Sequence, residues 1–389
     1  MPNSSIVIVA AQRTPIGNFQ GCLHSFTAPE LGSAAIRAAL SAAAISPEVI
    51  DAVIMGCVLP AGLKQAPARQ ASRGAGLPDK VGCTTVNKVC GSGMQSVIFA
   101  HDSLRAGSAE VMIAGGMESM SNAPYLLPKA RTGYRLGHEQ ALDHIFTDGL
   151  EDAYEHKLMG YYAEQCAQKY GFTREEQDSF ALHSIEKARE ASDKGLFAAE
   201  IVSLMVKDHI HSQDEGPQTA RPEKIPTLKP VFTAGGTITA ANASSLSDGA
   251  AALILMSEQK AQALNLSPLA RIVAHSSHAQ EPGWFTTTPI GAIEKLLKTT
   301  GWNISEVDLF EINEAFAVVT LATIASLKLD PTRVNVHGGA CVLGHPLGAT
   351  GARIVVTLIH ALLARGAKRG IATLCIGGGE ATAIALELL

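Results

Sequence analysis

The chain repeats itself. Residues 35–56 (AIRAALSAAAISPEVIDAVIMG) read as an amphipathic helix, a turn with an aspartate and an apolar strand, and residues 292–315 (AIEKLLKTTGWNISEVDLFEINEA) read the same way. Further on, residues 91–119 and 348–381 both run through a glycine turn, a helix, an arginine and glycine stop, an apolar strand and a glycine pair. Asp51 precedes Cys90 by 39 residues, and Asp308 precedes His345 by 37. Two blocks in one order at nearly one spacing mark an internal duplication. Each unit alternates strands with helices, so each half is expected to be a mostly parallel sheet covered by helices. The halves of a duplicated fold face each other about a pseudo-twofold, which can bring together residues far apart in the chain.

Between the halves the texture changes. Pro124, Pro128, Pro217, Pro222, Pro226 and Pro230 interrupt the pattern, and one long polar helix is predicted over residues 174–194 with Thr173 as its N-cap. The expected division is a first half of residues 1–119 and 246–268, an inserted loop domain of residues 120–245, and a second half of residues 269–389. With 47% hydrophobic and 17% charged residues the chain is globular, not disordered. Its formal charge of −5 argues against nucleic-acid binding through a general field. No run approaches the roughly 18 apolar residues of a membrane span, and residues 6–11 are too short for a signal core and read as a first strand. The chain closes without a Ser-Lys-Leu address, so no membrane association and a cytoplasmic location are expected. Seven cysteines without a Cys-x-x-Cys pair argue against disulfides and against a zinc site, leaving individual reactive thiols.

Four motifs could carry chemistry. In NKVCGSGM, Cys90 sits between an apolar stretch and a helix whose inward residues would be Met94, Val97, Ile98 and Leu104. A helix N-terminus favours a thiolate there, and the glycines let a substrate approach the backbone. In GHPLGATG, His345 opens the matching helix of the second half, and a thiol beside an imidazole generates a nucleophile near neutral pH. CIGGGE supplies Cys375 at the end of what reads as the last long strand, followed by glycines whose N–H groups can stabilise an oxyanion. NEAFA offers Asn313, whose carboxamide can hold a histidine or a water. Each position has a structural alternative: a packed core cysteine at 90 or 375, a turn histidine at 345, and an Asn-Glu helix cap at 313.

Taken together, NKVCGSG, NEAFA, GGACVLGHPLGATGAR and CIGGGEA resemble the thiolase family, and the resemblance covers essentially the whole chain. It implies a duplicated five-layered α-β-α-β-α fold with an inserted loop domain, and a coenzyme A thioester as substrate with no bound cofactor and no metal. It further implies that Cys90 is the acylated nucleophile, that His345 activates it, that Cys375 is the acid/base and that Asn313 holds an oxyanion-hole water. A second oxyanion hole would come from the N–H groups of Cys90 and Gly377. Ser244, within ANASS, matches the stretch that meets the pantetheine arm, and Met159, Phe232, Phe285 and Phe316 would line the rest. Arg221, Lys224 and Lys229 are the candidates for the coenzyme A phosphates, the alternative being a solvated charge run. Cys83-Thr84-Thr85-Val86 lies where relatives pair subunits. Residues 129–135 resemble the loop that joins dimers, or else form a mobile lid, so a homo-oligomer, a tetramer, is expected.

One departure bears on specificity. Leu158 precedes Met159-Gly160 where many short-chain members carry a histidine. The main reading is an acyltransferase that joins two acetyl-CoA into acetoacetyl-CoA or cleaves the product. Its rivals are a degradative thiolase for longer 3-ketoacyl-CoA, a carrier-protein ketoacyl synthase, and a non-catalytic acyl-CoA or lipid-binding relative that should have lost Cys90, His345 or Cys375. A hydride-transfer enzyme is disfavoured because the first strand runs into Gln12-Arg13-Thr14-Pro15, not a Gly-x-Gly-x-x-Gly turn.

Overall fold

The structure, a computed structural model, describes residues 5–389. The duplication is visible in the sheet. In the first half the strands run in the order Gly82–Val86, Ala52–Gly56, Val111–Ser119, Ser247–Ser257, Ile6–Arg13. In the second half the order is Leu309–Ile312, Arg369–Ile376, Glu380–Leu388, Ala270–Ala279. The pairings correspond: parallel toward the outer edge, antiparallel toward the middle. The halves meet where Val7 pairs with Arg271 and Ile8 with Ala270, which joins their two sheet layers at one edge into a ten-stranded sheet whose tenth strand, Gly17–Asn18, pairs with Ser247–Ser257.

The two repeated aspartates do the same job. Asp51 Oδ2 accepts from the backbone N–H groups of Glu110 and Val111, at 2.7 and 3.0 Å. Asp308 Oδ2 accepts from those of Lys368 and Arg369, at 2.9 and 2.8 Å. Each carboxylate thus ties the entry of one parallel strand to the start of its neighbour.

Helices make the other three layers. Ala28–Ala43 and Pro67–Gly74 cover the outer face of the first half, and Thr288–Thr300 covers that of the second. Between the halves lie Ser92–Arg105 and Leu347–Arg365, with Met94, Val97 and Ile98 of one and Val355 and Ile359 of the other in a shared core. They touch backbone to backbone. A Cβ on Gly93 would stand 2.7 Å from the Ala352 nitrogen, and one on Gly351 would run into the backbone of Met94. The glycines of both motifs therefore set how closely the two helix N-termini approach. Leu347–Arg365 is apolar and long enough to span a bilayer, but nearly all of it is buried here, which makes it the core helix of a layered fold.

The predicted polar helix runs over Arg174–Asp193, with Thr173 accepting from the Glu176 N–H at 3.1 Å and the Glu176 carboxylate answering at the Thr173 N–H. Arg369–Ile376 is not the final strand as the sequence suggested. The chain turns at Gly378 and Gly379, both at positive φ, and Glu380–Leu388 returns antiparallel beside it. An alanine at Gly379 would also press its Cβ to 2.5 Å from the Gln280 carbonyl oxygen. The turn after Cys375 consequently needs glycine for both conformation and space.

Candidate active site

Cys90 stands on a strained turn. Val89 has φ 46°, a left-handed conformation that is costly for a β-branched residue. Asn87 Oδ1 accepts the Val89 N–H at 2.9 Å. Ser92 Oγ donates to the Val89 carbonyl at 2.7 Å and accepts the Lys88 N–H at 2.8 Å. Lys88 in turn is salt-bridged to Glu380, just beyond the glycine turn of the second half. The polar residues of NKVCGSG therefore hold the loop that presents the thiol ahead of the helix Ser92–Arg105.

His345 is placed by backbone and hydroxyl. Its N–H donates to the Ser245 carbonyl at 3.0 Å, and its Nδ1 lies 2.6 Å from Thr350 Oγ1. Thr350 Oγ1 also lies 2.9 Å from the Pro346 carbonyl, and with its proton directed there Oγ1 accepts from the ring. That puts the imidazole proton on Nδ1 and leaves Nε2, buried and without a protein partner, as the free base. Burial, with Arg353 adding to it, pushes the His345 pKa down to about 3, so the ring is neutral at physiological pH.

The thiols are also neutral at rest. Burial pushes Cys90 up to about 11, while the N–H groups of Gly377 and of Cys90 itself pull it partway back. The helix N-terminus thus does not deliver the resting thiolate that the sequence suggests, because desolvation outweighs it. Cys375, buried at the end of its strand, is raised well above the ordinary thiol value by desolvation and then by the charge of Cys90. The two sulfurs lie within electrostatic reach of each other.

These groups open into one cavity of about 480 Å³. Cys90, His345, Cys375 and Gly377 line it, as do Ser244, Leu158, Met159, Phe232, Phe285 and Phe316. The walls are aromatic: the Phe316 ring packs edge-on against Phe232 at 6.0 Å and Phe285 at 6.4 Å. Phe316 is held by the 242–244 segment, since Ser244 N–H donates to the Ala315 carbonyl and Ala317 N–H to that of Asn242, at 2.9 and 2.8 Å.

Four expected residues fall outside the lining. Asn313 is buried behind it, its N–H on the Thr373 carbonyl at 3.0 Å and both carboxamide atoms without a protein partner. It does not cap a helix: the following helix begins at Ala317, and Glu314 instead accepts from Ser184, Asn335 and the Cys341 N–H. Arg221 is exposed and opens the short 3-10 helix Pro222–Thr227, away from the cavity lining, because that segment packs on the polar helix Arg174–Asp193. Lys224 and Lys229 are exposed as well.

The sequence reading missed Thr350 and Glu118. Glu118, at the end of a strand of the first half, accepts the N–H groups of Val58, Leu59 and Gly348 at 2.9, 3.1 and 2.7 Å. It thereby anchors the N-terminus of the His345 helix to the opposite half. Burial pushes it up to about 7 against the pull of those donors. A lone glutamate ending the apolar stretch VMIAGGME was its signal.

Two helix N-termini from a duplicated α/β fold, one carrying a thiol and the other a neutral imidazole base, with a second thiol beside them in an apolar cleft, define an acyl-transfer enzyme working through cysteine. The chain belongs to the thiolase family. The family model described as "Thiolase, N-terminal domain" matches residues 6–259 and "Thiolase, C-terminal domain" matches residues 266–388. The chain is 50% identical to acetyl-CoA acetyltransferase 1 of Arabidopsis thaliana, over 99% of this chain and 94% of that one. It superposes on the crystal structure of the Bacillus anthracis acetyl-CoA acetyltransferase with a TM-score of 0.97, at 42% identity and covering 99% of each chain. It also superposes on the Acat5 thiolase of Ascaris suum in complex with coenzyme A, with a TM-score of 0.95 at 42% identity over 99% of this chain and 100% of that one.

Proposed function

We propose that the protein is an acetyl-CoA C-acetyltransferase, condensing two acetyl-CoA into acetoacetyl-CoA and coenzyme A and catalysing the reverse thiolysis. The observation that carries this reading is the convergence of Cys90, His345, Cys375 and the Gly377 N–H on one cleft, in a chain half identical to a named acetyl-CoA acetyltransferase.

In the first half-reaction the Cys90 sulfur attacks the thioester carbonyl while its proton passes to His345 Nε2. The tetrahedral intermediate collapses to acetyl-Cys90, and coenzyme A leaves with that proton. The N–H groups of Cys90 and Gly377 hold the oxyanion of that intermediate, whereas His345 and a water held by Asn313 face the carbonyl oxygen of the acetyl-CoA deprotonated in the second half-reaction. A carboxamide buried with no protein partner is suited to that task. In the second half-reaction Cys375 first passes its thiol proton to His345 Nε2; the resulting thiolate takes a proton from the methyl carbon of a second acetyl-CoA, and the carbanion attacks acetyl-Cys90. The N–H groups of Cys90 and Gly377 hold the oxyanion again, and it collapses to acetoacetyl-CoA as the departing Cys90 thiolate takes the proton from His345, which leaves both thiols and the imidazole neutral. Acetyl-Cys90 cannot ionise, so the Cys90 charge that would oppose ionisation of Cys375 cannot form during this step.

Residues 120–245 would carry most of the surface that meets the pantetheine arm, with Ser244 at its inner end. Arg221, Lys224 and Lys229 remain the proposed phosphate contacts at its outer face. The direct test is release of free coenzyme A from acetyl-CoA alone, coupled to acetoacetyl-CoA absorbance. No release by a folded protein would overturn the proposal.

Short chains should be preferred. Phe285 and Phe316 are nearly fully buried and close the cleft around the reacting groups. A long acyl tail needs a continuous apolar channel, in which each buried methylene would gain about 0.8 kcal/mol. Acetoacetyl-CoA is expected to show the highest kcat/KM in a series of lengthening 3-ketoacyl-CoA substrates. A steady rise with length, using the apolar side chains of Leu158 and Leu150 as a channel, would make this a degradative thiolase.

Assembly is part of the same proposal. The strand Gly82–Val86 ends the sheet, and its outer edge pairs with no other described strand of this chain. The short ribbon of Tyr125–Leu126 and Leu142–Asp143 supports an exposed loop bearing Leu127, Tyr134 and Leu136. A dimer through the strand edge and a tetramer through the loop would cover both. Light scattering should give a multiple of 40.7 kDa; a monomer at micromolar concentration would contradict this.

A further inference from the structure

We propose that His101, Asp102 and His275 form a binding site for a divalent transition-metal ion, at the end of the Cys90 helix remote from the acyl cleft. His101 and Asp102 belong to the last turns of Ser92–Arg105, and His275 lies on Ala270–Ala279 in the other half of the chain. The ligating atoms of the three residues all fall within 4.8 Å of one another. His101 Nδ1 and His275 Nε2 each lie 2.9 Å from the same oxygen, Asp102 Oδ1. A metal about 2.0–2.1 Å from nitrogen and oxygen donors sets them roughly 3 Å apart, so the set needs little rearrangement to replace its shared protons with an ion.

The surroundings fit a regulatory or structural ion better than a packing accident. His101 is 7% exposed and its ring meets that of His275 edge-on, with centroids 5.0 Å apart, which fixes both imidazoles. Asp102 stays open to solvent on the third side, where an ion can enter and keep water ligands. Arg105, one turn further on, is a cation close enough to act on His101, and the Asp102 carboxylate offsets it. Two imidazoles and one carboxylate suit Zn²⁺, Co²⁺ or Ni²⁺, whereas Ca²⁺ and Mg²⁺ require an oxygen-rich shell.

The placement gives the ion a consequence. His101 lies nine positions after Ser92, which is about 14 Å of helix rise, so an ion there does not touch the reacting groups. It would instead clamp the far end of the nucleophile's helix to the sheet of the second half. Such a clamp stabilises the folded chain by mass action, because the ligands come together only in that state.

Titrating the intact oligomer with Co²⁺ near neutral pH should produce visible d–d absorption saturating at one ion per chain, without a thiolate-to-cobalt band. His275→Gln and Asp102→Asn, both at solvent-accessible positions, should each weaken binding by more than about tenfold while circular dichroism and coenzyme A release stay unchanged. Ni²⁺ should raise the melting temperature of the unaltered protein but not of His275→Gln. The proposal is overturned if no Co²⁺ absorption appears up to millimolar ion, if a thiolate band shows the cysteines to be the ligands, or if the folded His275→Gln variant binds as tightly as the unaltered chain.

Discussion

A Cys375→Ser variant is expected to form acetyl-enzyme from acetyl-CoA at close to the unaltered rate, while acetoacetyl-CoA production falls by about 10²- to 10⁴-fold. Serine nearly keeps the volume of a side chain that is only 1% exposed, so the fold should persist. What it loses is a group that can ionise beside the substrate carbon. Cys90, His345 and the Gly377 N–H are all untouched, and these suffice for the first half-reaction. Stopped-flow detection of the coenzyme A burst beside the slower absorbance of product separates the two steps. Equal loss in both would show that Cys375 acts on the shape of the site, not as its proton carrier.

His345→Asn should depress both half-reactions by about 10²- to 10⁴-fold, because Nε2 serves the attack by Cys90 and faces the carbonyl oxygen afterwards. The sign of the pH effect follows from the resting states. With Cys90 raised to about 11, its thiolate fraction at pH 7 is roughly 10⁻⁴ and grows tenfold per pH unit. On the proposed mechanism the neutral imidazole takes the thiol proton during attack in the unaltered enzyme, so iodoacetamide should alkylate Cys90 at neutral pH faster than that fraction permits. The variant should fall to the thiolate-limited rate and recover as pH rises. An unchanged neutral-pH rate in a folded variant would leave His345 as a turn residue. Thr350→Val should give a weaker version of the same profile, about tenfold, since one hydrogen bond selects the ring tautomer.

Much of this site was legible in the chain because its chemistry sits in contiguous motifs. Cys90, His345 and Cys375 each stand beside glycines at a strand or helix end, and the duplication explains why residues so distant in sequence meet. The aspartates at 51 and 308 marked equivalent positions and make equivalent hydrogen bonds. What escaped the sequence is long-range and has no period. Nothing near Glu118 says that it will accept an N–H from Gly348 in the other half, and nothing near Arg13 says that it will lie buried between Asp214 and Glu200. Thr350 was inside a motif, yet its role depends on where its proton goes. The resting charge of Cys90 was misjudged for a related reason: a helix N-terminus can be read from sequence, whereas the desolvation that outweighs it is set by packing.

In the proposed mechanism acyl transfer passes through Cys90, and the second thiol does not carry the acyl group. Incubating the protein with radiolabelled acetyl-CoA, quenching in acid and mapping the labelled peptide tests it most directly. One acetyl group per chain on the peptide containing Cys90, absent from Cys90→Ala and retained in Cys375→Ser, is the expected result. Label on the Cys375 peptide, or label that survives in a folded Cys90→Ala variant, would contradict it.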